Sequence, residues 1–199
     1  MSSIKLTADS GGGTFEIKAP SSSGNTRVLT LPDTGNITLS DTNGVTMVDS
    51  WVVTASFDVS GSSDITANWA KHSAGGSQFG TIGTGMTESS GIFTFPITGI
   101  YAVTTTMSAR CDSGARSYIG MRHYYSTNSG GAYANTASGY SSGTSSTDHV
   151  FGSTTVIYDV TDVSTHRIKF NVEASSASKY FGNATNKNTG VTFIRLGDT

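Results

Sequence analysis

The chain reads as all-β, and three observations carry that reading. Apolar and polar residues alternate with period two: Ile168, Phe170, Val172 and Ala174 interleave with Arg167, Lys169, Asn171 and Glu173, the pattern of a strand with one buried face. No stretch sustains a helical period, and Gly, Ser, Asn and Thr clusters separate the alternating pieces, with 24 glycines in 199 residues. Charged residues make up 13% of the chain, about half the usual ~25%, while Thr, Val, Tyr and Phe suit a pleated surface. Short strands joined by Gly/Ser turns point to an antiparallel sandwich.

Residues 1–48 differ from the rest. Phe15 and Ile17 mark one short alternating piece, Val28, Leu29 and Leu31 a second, Ile37 and Leu39 a third, divided by Gly11-Gly-Gly, by Pro20-Ser-Ser-Ser-Gly-Asn and by Pro32-Asp-Thr-Gly-Asn. Each offers two or three apolar side chains, too few to offset a backbone ordering cost of about 1–2 kcal/mol per residue. Such an arm needs copies of itself or a host surface. Residues 49–199 form the head. Trp51 to Val59 reads as its first strand, and Ile65 to His72 as either a short strand or a single turn.

Ser89 to Met107 is the organising stretch. Ile92, Phe93 and Phe95 end at Pro96, which cannot donate to a sheet ladder and belongs at a corner. Gly99 permits a turn with positive φ, and from Ile100 the chain resumes as a strand with Tyr101, Val103, Thr105 and Met107 on one face. Strands follow at Ser117–Tyr125, Val150–Val160, Arg167–Ala174 and Val191–Leu196, and Ser126–Thr147 reads as a long loop of the functional or mobile kind.

Gly91, Phe93, Pro96, Gly99 and Tyr101 fill the places of the central signature of the C-one-q and tumour necrosis factor superfamily, which the chain resembles from about Asp49 to Leu196. Phe79-Gly-Thr-Ile-Gly-Thr-Gly fits the strand and loop before that signature, and Thr189 to Gly197 resembles the closing strand of such heads. The resemblance implies a ten-stranded jelly roll assembled as a tight homotrimer. Arg27 to Leu39 resembles a segment near the start of bacteriophage tail-fibre and virion appendage proteins, which implies attachment to a particle.

Composition limits the function. Net charge is −2 and the twelve Lys and Arg are scattered, which argues against a nucleic-acid partner. One cysteine, Cys111, excludes a disulfide-stapled fold. Met1 is followed by Ser-Ser-Ile-Lys-Leu-Thr with no apolar core of a signal, and no run approaches the ~18 apolar residues of a span. The expectation is a protein made in a host cytoplasm and assembled on a virion, with no membrane insertion.

Candidate sites compete with plain structural readings. Gly139-Tyr-Ser-Ser-Gly, with Asp148 and His149 nearby, matches a serine-hydrolase pattern, yet no apolar strand precedes it and no helix follows. His72, His123, His149 and His166 lack metal-ligand spacings. Asp159-Val-Thr-Asp162 offers oxygen ligands that calcium would take, but Asp and Thr are ordinary turn formers and the turn is the stronger reading. Asn36-Ile-Thr and Asn183-Ala-Thr match the glycosylation sequon but read as turns. No catalytic residue, metal or cofactor is expected.

Tyr124, Tyr125, Tyr133 and Tyr140 stand out, because tyrosine among Ser, Gly and Asn gives recognition loops rigid area with adaptable hydrogen bonds. Tyr125, Tyr133 and Tyr140 are the candidate surface-recognition group. Phe93, Phe95, Tyr101, Val103, Phe170, Val172 and Phe193 are the packing set of core and trimer, with a complementary aromatic face left for two sister subunits. Together the two resemblances imply a non-enzymatic homotrimeric virion protein. Its arm would dock on a capsid or tail protein, and its head would reinforce the particle or touch a host-surface glycan or protein. A secreted C-one-q-like binding module is the alternative, and a serine hydrolase or glycan-degrading tail enzyme the third reading.

Overall fold

The computed structural model describes residues 3–7, 14–18, 45–74, 77–78, 80–112 and 114–199. The chain divides into two compact units, Met1–Asp41 and Thr42–Thr199. In the first, β1 (Ser3–Thr7) and β2 (Thr14–Lys18) pair antiparallel, with Ile4 opposite Ile17 and Leu6 opposite Phe15. Val28, Leu29, Leu31, Ile37 and Leu39 lie outside the described residues.

The second unit contains β3 (Met47–Val53), β4 (Phe57–Asp64), β5 (Trp69–Lys71) and the small pair β6 (Ser73–Ala74) and β7 (Ser77–Gln78). Then come β8 (Thr87–Ser89), β9 (Ile92–Thr94), β10 (Gly99–Cys111), β11 (Arg116–Ser126), β12 (Ala134–Gly143), β13 (His149–Val160), β14 (Arg167–Tyr180) and β15 (Gly190–Gly197). One layer runs β13–β10–β15–β3–β5. The other runs β12–β11–β14, with β4 and β9 side by side along the far edge of β14 and β8 beyond β9. Every pairing is antiparallel, and the ends of β10 and β14 also pair, Ala109 opposite Tyr180. Eleven strands thus hydrogen-bond into one sheet folded on itself, where ten were expected. The three-residue β8, Thr-Glu-Ser, shows no alternation that a sequence could reveal.

The signature stretch behaves as its residues dictate. Gly91 sits at φ 81° and Gly99 at φ 144°, and a Cβ at Gly99 would lie 2.4 Å from the carbonyl oxygen of Gly197. Both positions therefore need glycine. Tyr101, Val103, Thr105, Met107 and Ala109 point inward, and the residues between them point outward. At the centre Phe93 meets Phe170 at 5.6 Å and Phe193 at 5.4 Å between ring centroids, with Trp51 and Trp69 edge-on at 5.3 and 5.2 Å. Phe95 packs on Tyr101 at 4.9 Å.

Three expectations need correction. Trp51 to Val59 is two strands: the chain leaves β3 after Val53, passes the exposed Ala55 and Ser56, and enters β4 with Phe57 stacked on Tyr180. The alternation read across the break does not mark one buried face, since β3 buries Asp49 to Val53 without interruption and β4 buries Val59. Met47 and Val48 already pair with Arg195 and Ile194, so β3 reaches back across the 48/49 boundary. Second, Ser126–Thr147 is not one loop, because residues 134–143 form β12 along β11. Third, one chain encloses the whole packing set, with Phe93, Phe95, Tyr101, Val103, Phe170, Val172 and Phe193 each at most 2% exposed. The interior needs no second copy to close it.

Candidate functional site

The hydrolase pattern is dismantled by its surroundings. Ser141 lies within β12, and its hydroxyl donates to the carbonyl of Phe151 at 2.6 Å. The Asp148 carboxylate accepts the amides and hydroxyls of Thr144 and Ser145, bonds that hold its pKa at about 2, with the Ser145 hydroxyl leading. His149 stacks on Phe181 at 5.2 Å. The Asp162 carboxylate accepts the Ser164 amide and hydroxyl, closing a turn, and Asn183 does the same for Thr185. Asn36 lies outside the described residues. Among the described residues no group of three or more His, Cys, Asp or Glu is placed to hold a metal.

His123 is fully buried, on the inward face of β11 that alternation assigns to Ile119 and Met121. Its Nε2 lies 2.8 Å from Thr105 Oγ1 and its Nδ1 3.2 Å from the Tyr158 hydroxyl, which lies 2.6 Å from Thr136 Oγ1. A polar chain therefore crosses the sandwich from β12 to β10. Burial pushes His123 down to about 4 and Tyr158 up to about 12.

The recognition tyrosines separate. Tyr125 faces the end of the sandwich, stacked on Tyr158 at 4.6 Å with its hydroxyl donating to the Asp159 carbonyl at 3.2 Å, so it is largely committed to structure. It shares with Tyr133 an open depression of about 360 Å³, floored by Ser126, Asn128 and Thr136. Tyr140 lies elsewhere, on the outward face of β12. Its ring covers Gly120, where a Cβ would come within 2.1 Å of it, and its hydroxyl donates to Glu173 at 2.9 Å.

That outward face holds groups the sequence reading passed over. Register aligns Tyr140, Gly120, Glu173 and Ser62 in one row across β12, β11, β14 and β4, and Ser138, Arg122, Asn171 and Asp64 in the next. Arg122 is ion-paired with Glu173 and donates to the Tyr124 hydroxyl at 3.3 Å. Lys169 pairs with Asp64 at 2.6 Å, and Asn171 donates to the same carboxylate at 2.8 Å. Burial acts to raise Asp64, but those bonds and the Lys169 charge bring it below its ordinary value. The Lys169 ammonium sits 4.5 Å from the Tyr133 ring centroid and 5.7 Å from that of Tyr124. Tyr118, 37% exposed, meets the 47%-exposed Tyr140 edge-on at 5.8 Å. Alternation along β11 was the available signal for Tyr118, Arg122 and Tyr124 sharing one face.

The outward face of the other layer differs in kind. Ile157, Ala102, Ile194 and Val48 stand opposite one another across β13, β10, β15 and β3, and Ile82 bridges to Val48. Ile157 is 56% exposed, Ile82 49%, and the nearby Leu196 55%. Beside this row runs one of hydroxyls, Thr155, Thr104, Thr192 and Ser50. Lys187 donates to Ser50 and Thr192, and burial pushes it down to about 8. The face is largely aliphatic and hydroxyl-rich, and Phe151 on β13, 62% exposed and opposite Ser108, adds an aromatic ring to it.

No protein-family model matches the chain, and no curated protein matches it. Among solved structures, Eiger TNF from S. frugiperda is similar at TM-score 0.56 and 12% identity, over 78% of this chain and 96% of that one. Murine APRIL is similar at TM-score 0.53 and 13% identity, over 75% and 99%. The PRD1 vertex protein P5 aligns at TM-score 0.47 and 17% identity, over 78% and 100%, a likeness too loose to bear on this chain. The fold is an all-β jelly roll of the TNF-like kind. At these identities the likeness defines architecture alone.

Proposed function

We propose that this chain is a non-enzymatic structural and binding protein, a homotrimer of TNF-like heads held on a bacteriophage particle by its N-terminal arm. The observation that carries the reading is the apolar row Ile157–Ala102–Ile194–Val48–Ile82 on the outside of a sheet whose inside is already packed. An apolar row that is exposed at Ile157 and Ile82 and half-buried between them favours a protein partner. The partner is a second and third copy, as the C-one-q and TNF resemblance implies, and closed symmetry covers the face without leaving a growing edge. The particle attachment rests on the resemblance of Arg27–Leu39 to appendage proteins. Catalysis finds no support, since Ser141, Asp148 and His149 are each engaged in local structure.

The test has two arms. Ile157→Asp with Ile194→Asp should convert a trimer into folded monomers in light scattering, and an unchanged mass would refute the interface. Deleting residues 1–41, the first unit, should leave a trimer that no longer assembles on particles, read by labelling intact virions. Particles that incorporate the truncated chain would refute the anchoring role.

A further inference from the structure

We propose that the outward face of the β12–β11–β14–β4 layer binds an uncharged oligosaccharide, with Tyr118 and Tyr140 as its stacking surface and the Arg122–Glu173 and Lys169–Asp64 pairs gripping hydroxyls. This deepens the surface-binding reading and rests on it: in the proposed trimer the aliphatic layer is covered and this layer faces solvent. A pyranose ring has an apolar C–H face and a rim of hydroxyls. It therefore needs exposed aromatic area beside paired donors and acceptors, and both are present.

Tyr118 and Tyr140 expose their rings on a sheet face, away from the core. Tyr140 is held against the backbone of Gly120 and tied to Glu173, so little ordering is left to be done on binding. Arg122 and Lys169 offer donors, and Glu173 and Asp64 offer acceptors.

Charge balance selects the ligand class. Arg122 and Lys169 are each matched by a carboxylate, and Arg167 at the far end of the face is turned to the carbonyls of Val163, Ser164 and His166, so an acidic glycan lying on the tyrosines would meet Glu173 and Asp64 without a free positive charge beside them. The strip from Glu173 through Asn171 to Lys169 spans four residue steps of one strand, roughly 13 Å at ~3.3 Å per residue. That length suits a short chain of sugars better than a single ring.

The full-length protein, fluorescently labelled, should bind neutral hexose or N-acetylhexosamine oligomers on a bacterial glycan array. Tyr118→Ser with Tyr140→Ser should weaken the best neutral ligand roughly tenfold or more, as loss of aromatic stacking requires, with the thermal unfolding midpoint kept. Arg122→Gln should weaken it as well. No signal on neutral glycans, signal confined to acidic glycans, or unchanged affinity in the double tyrosine variant would overturn the proposal. The solution mass tests the trimer separately, so a trimer that ignores neutral glycans sinks this inference alone.

Discussion

Asp49 carries more of the fold than its place in the sequence suggests. Its carboxylate, fully buried, accepts the Trp51 indole N–H and the Met86 amide and is ion-paired with Lys71. A Cβ at Gly85 would come within 2.3 Å of it, so the chain there must be glycine to let the pair form. Removing the carboxylate strands a buried indole donor and a lysine with 31% of its side chain exposed. Asp49→Ala should therefore cost about 2–4 kcal/mol in urea denaturation; a loss within ~0.5 kcal/mol would contradict this role. None of this was legible beforehand, because an Asp at a domain junction reads as a turn former until Lys71 and Met86 arrive from elsewhere in the chain.

The same residue scale sets the acid response. His123 titrates near 4 in the fold against 6.5 when free, so between those values the unfolded chain binds the extra proton. The stability contributed by neutral His123 is complete above pH ~6.5 and is lost as pH falls towards 4, amounting to about 3 kcal/mol. His123→Gln should flatten that slope in denaturation measured across this window. An equally steep slope in the variant would show that other groups cause it.

At the scale of elements, legibility followed burial. β10 and β14 could be read directly, since long alternations such as Tyr101-Val103-Thr105-Met107 can only be half-buried strands. β12 could not. Its Ser, Gly and Ala side chains bury almost nothing, and the strand exists because β11 supplies a ladder, so composition alone resembles a loop. The tight approach of β12 to β11 makes a local prediction. Gly120→Ala places a methyl into the Tyr140 ring and near the Gly139 carbonyl, 2.6 Å away, and should lower stability by about 1–3 kcal/mol in thermal unfolding. An unchanged midpoint would mean that the two strands sit farther apart.

For the whole molecule, the jelly roll was legible from Gly91, Phe93, Pro96, Gly99 and Tyr101, whose turn chemistry the structure explains. The aromatic packing set is closed within one chain, so the proposed trimer contact lies outside it, on the row from Ile157 to Ile82. Which side chains remain outward depends on how eleven strands register, and no local pattern carries that. The candidate site divided along the same line: Tyr140 stood among the expected tyrosines and Tyr118 did not, and Arg122 and Glu173 became partners of Tyr140 only through cross-strand register. The most direct measurement is sedimentation equilibrium of the intact chain at micromolar concentration. The account predicts a single species of three times the 20.6 kDa chain mass; a folded monomer at that concentration would contradict it.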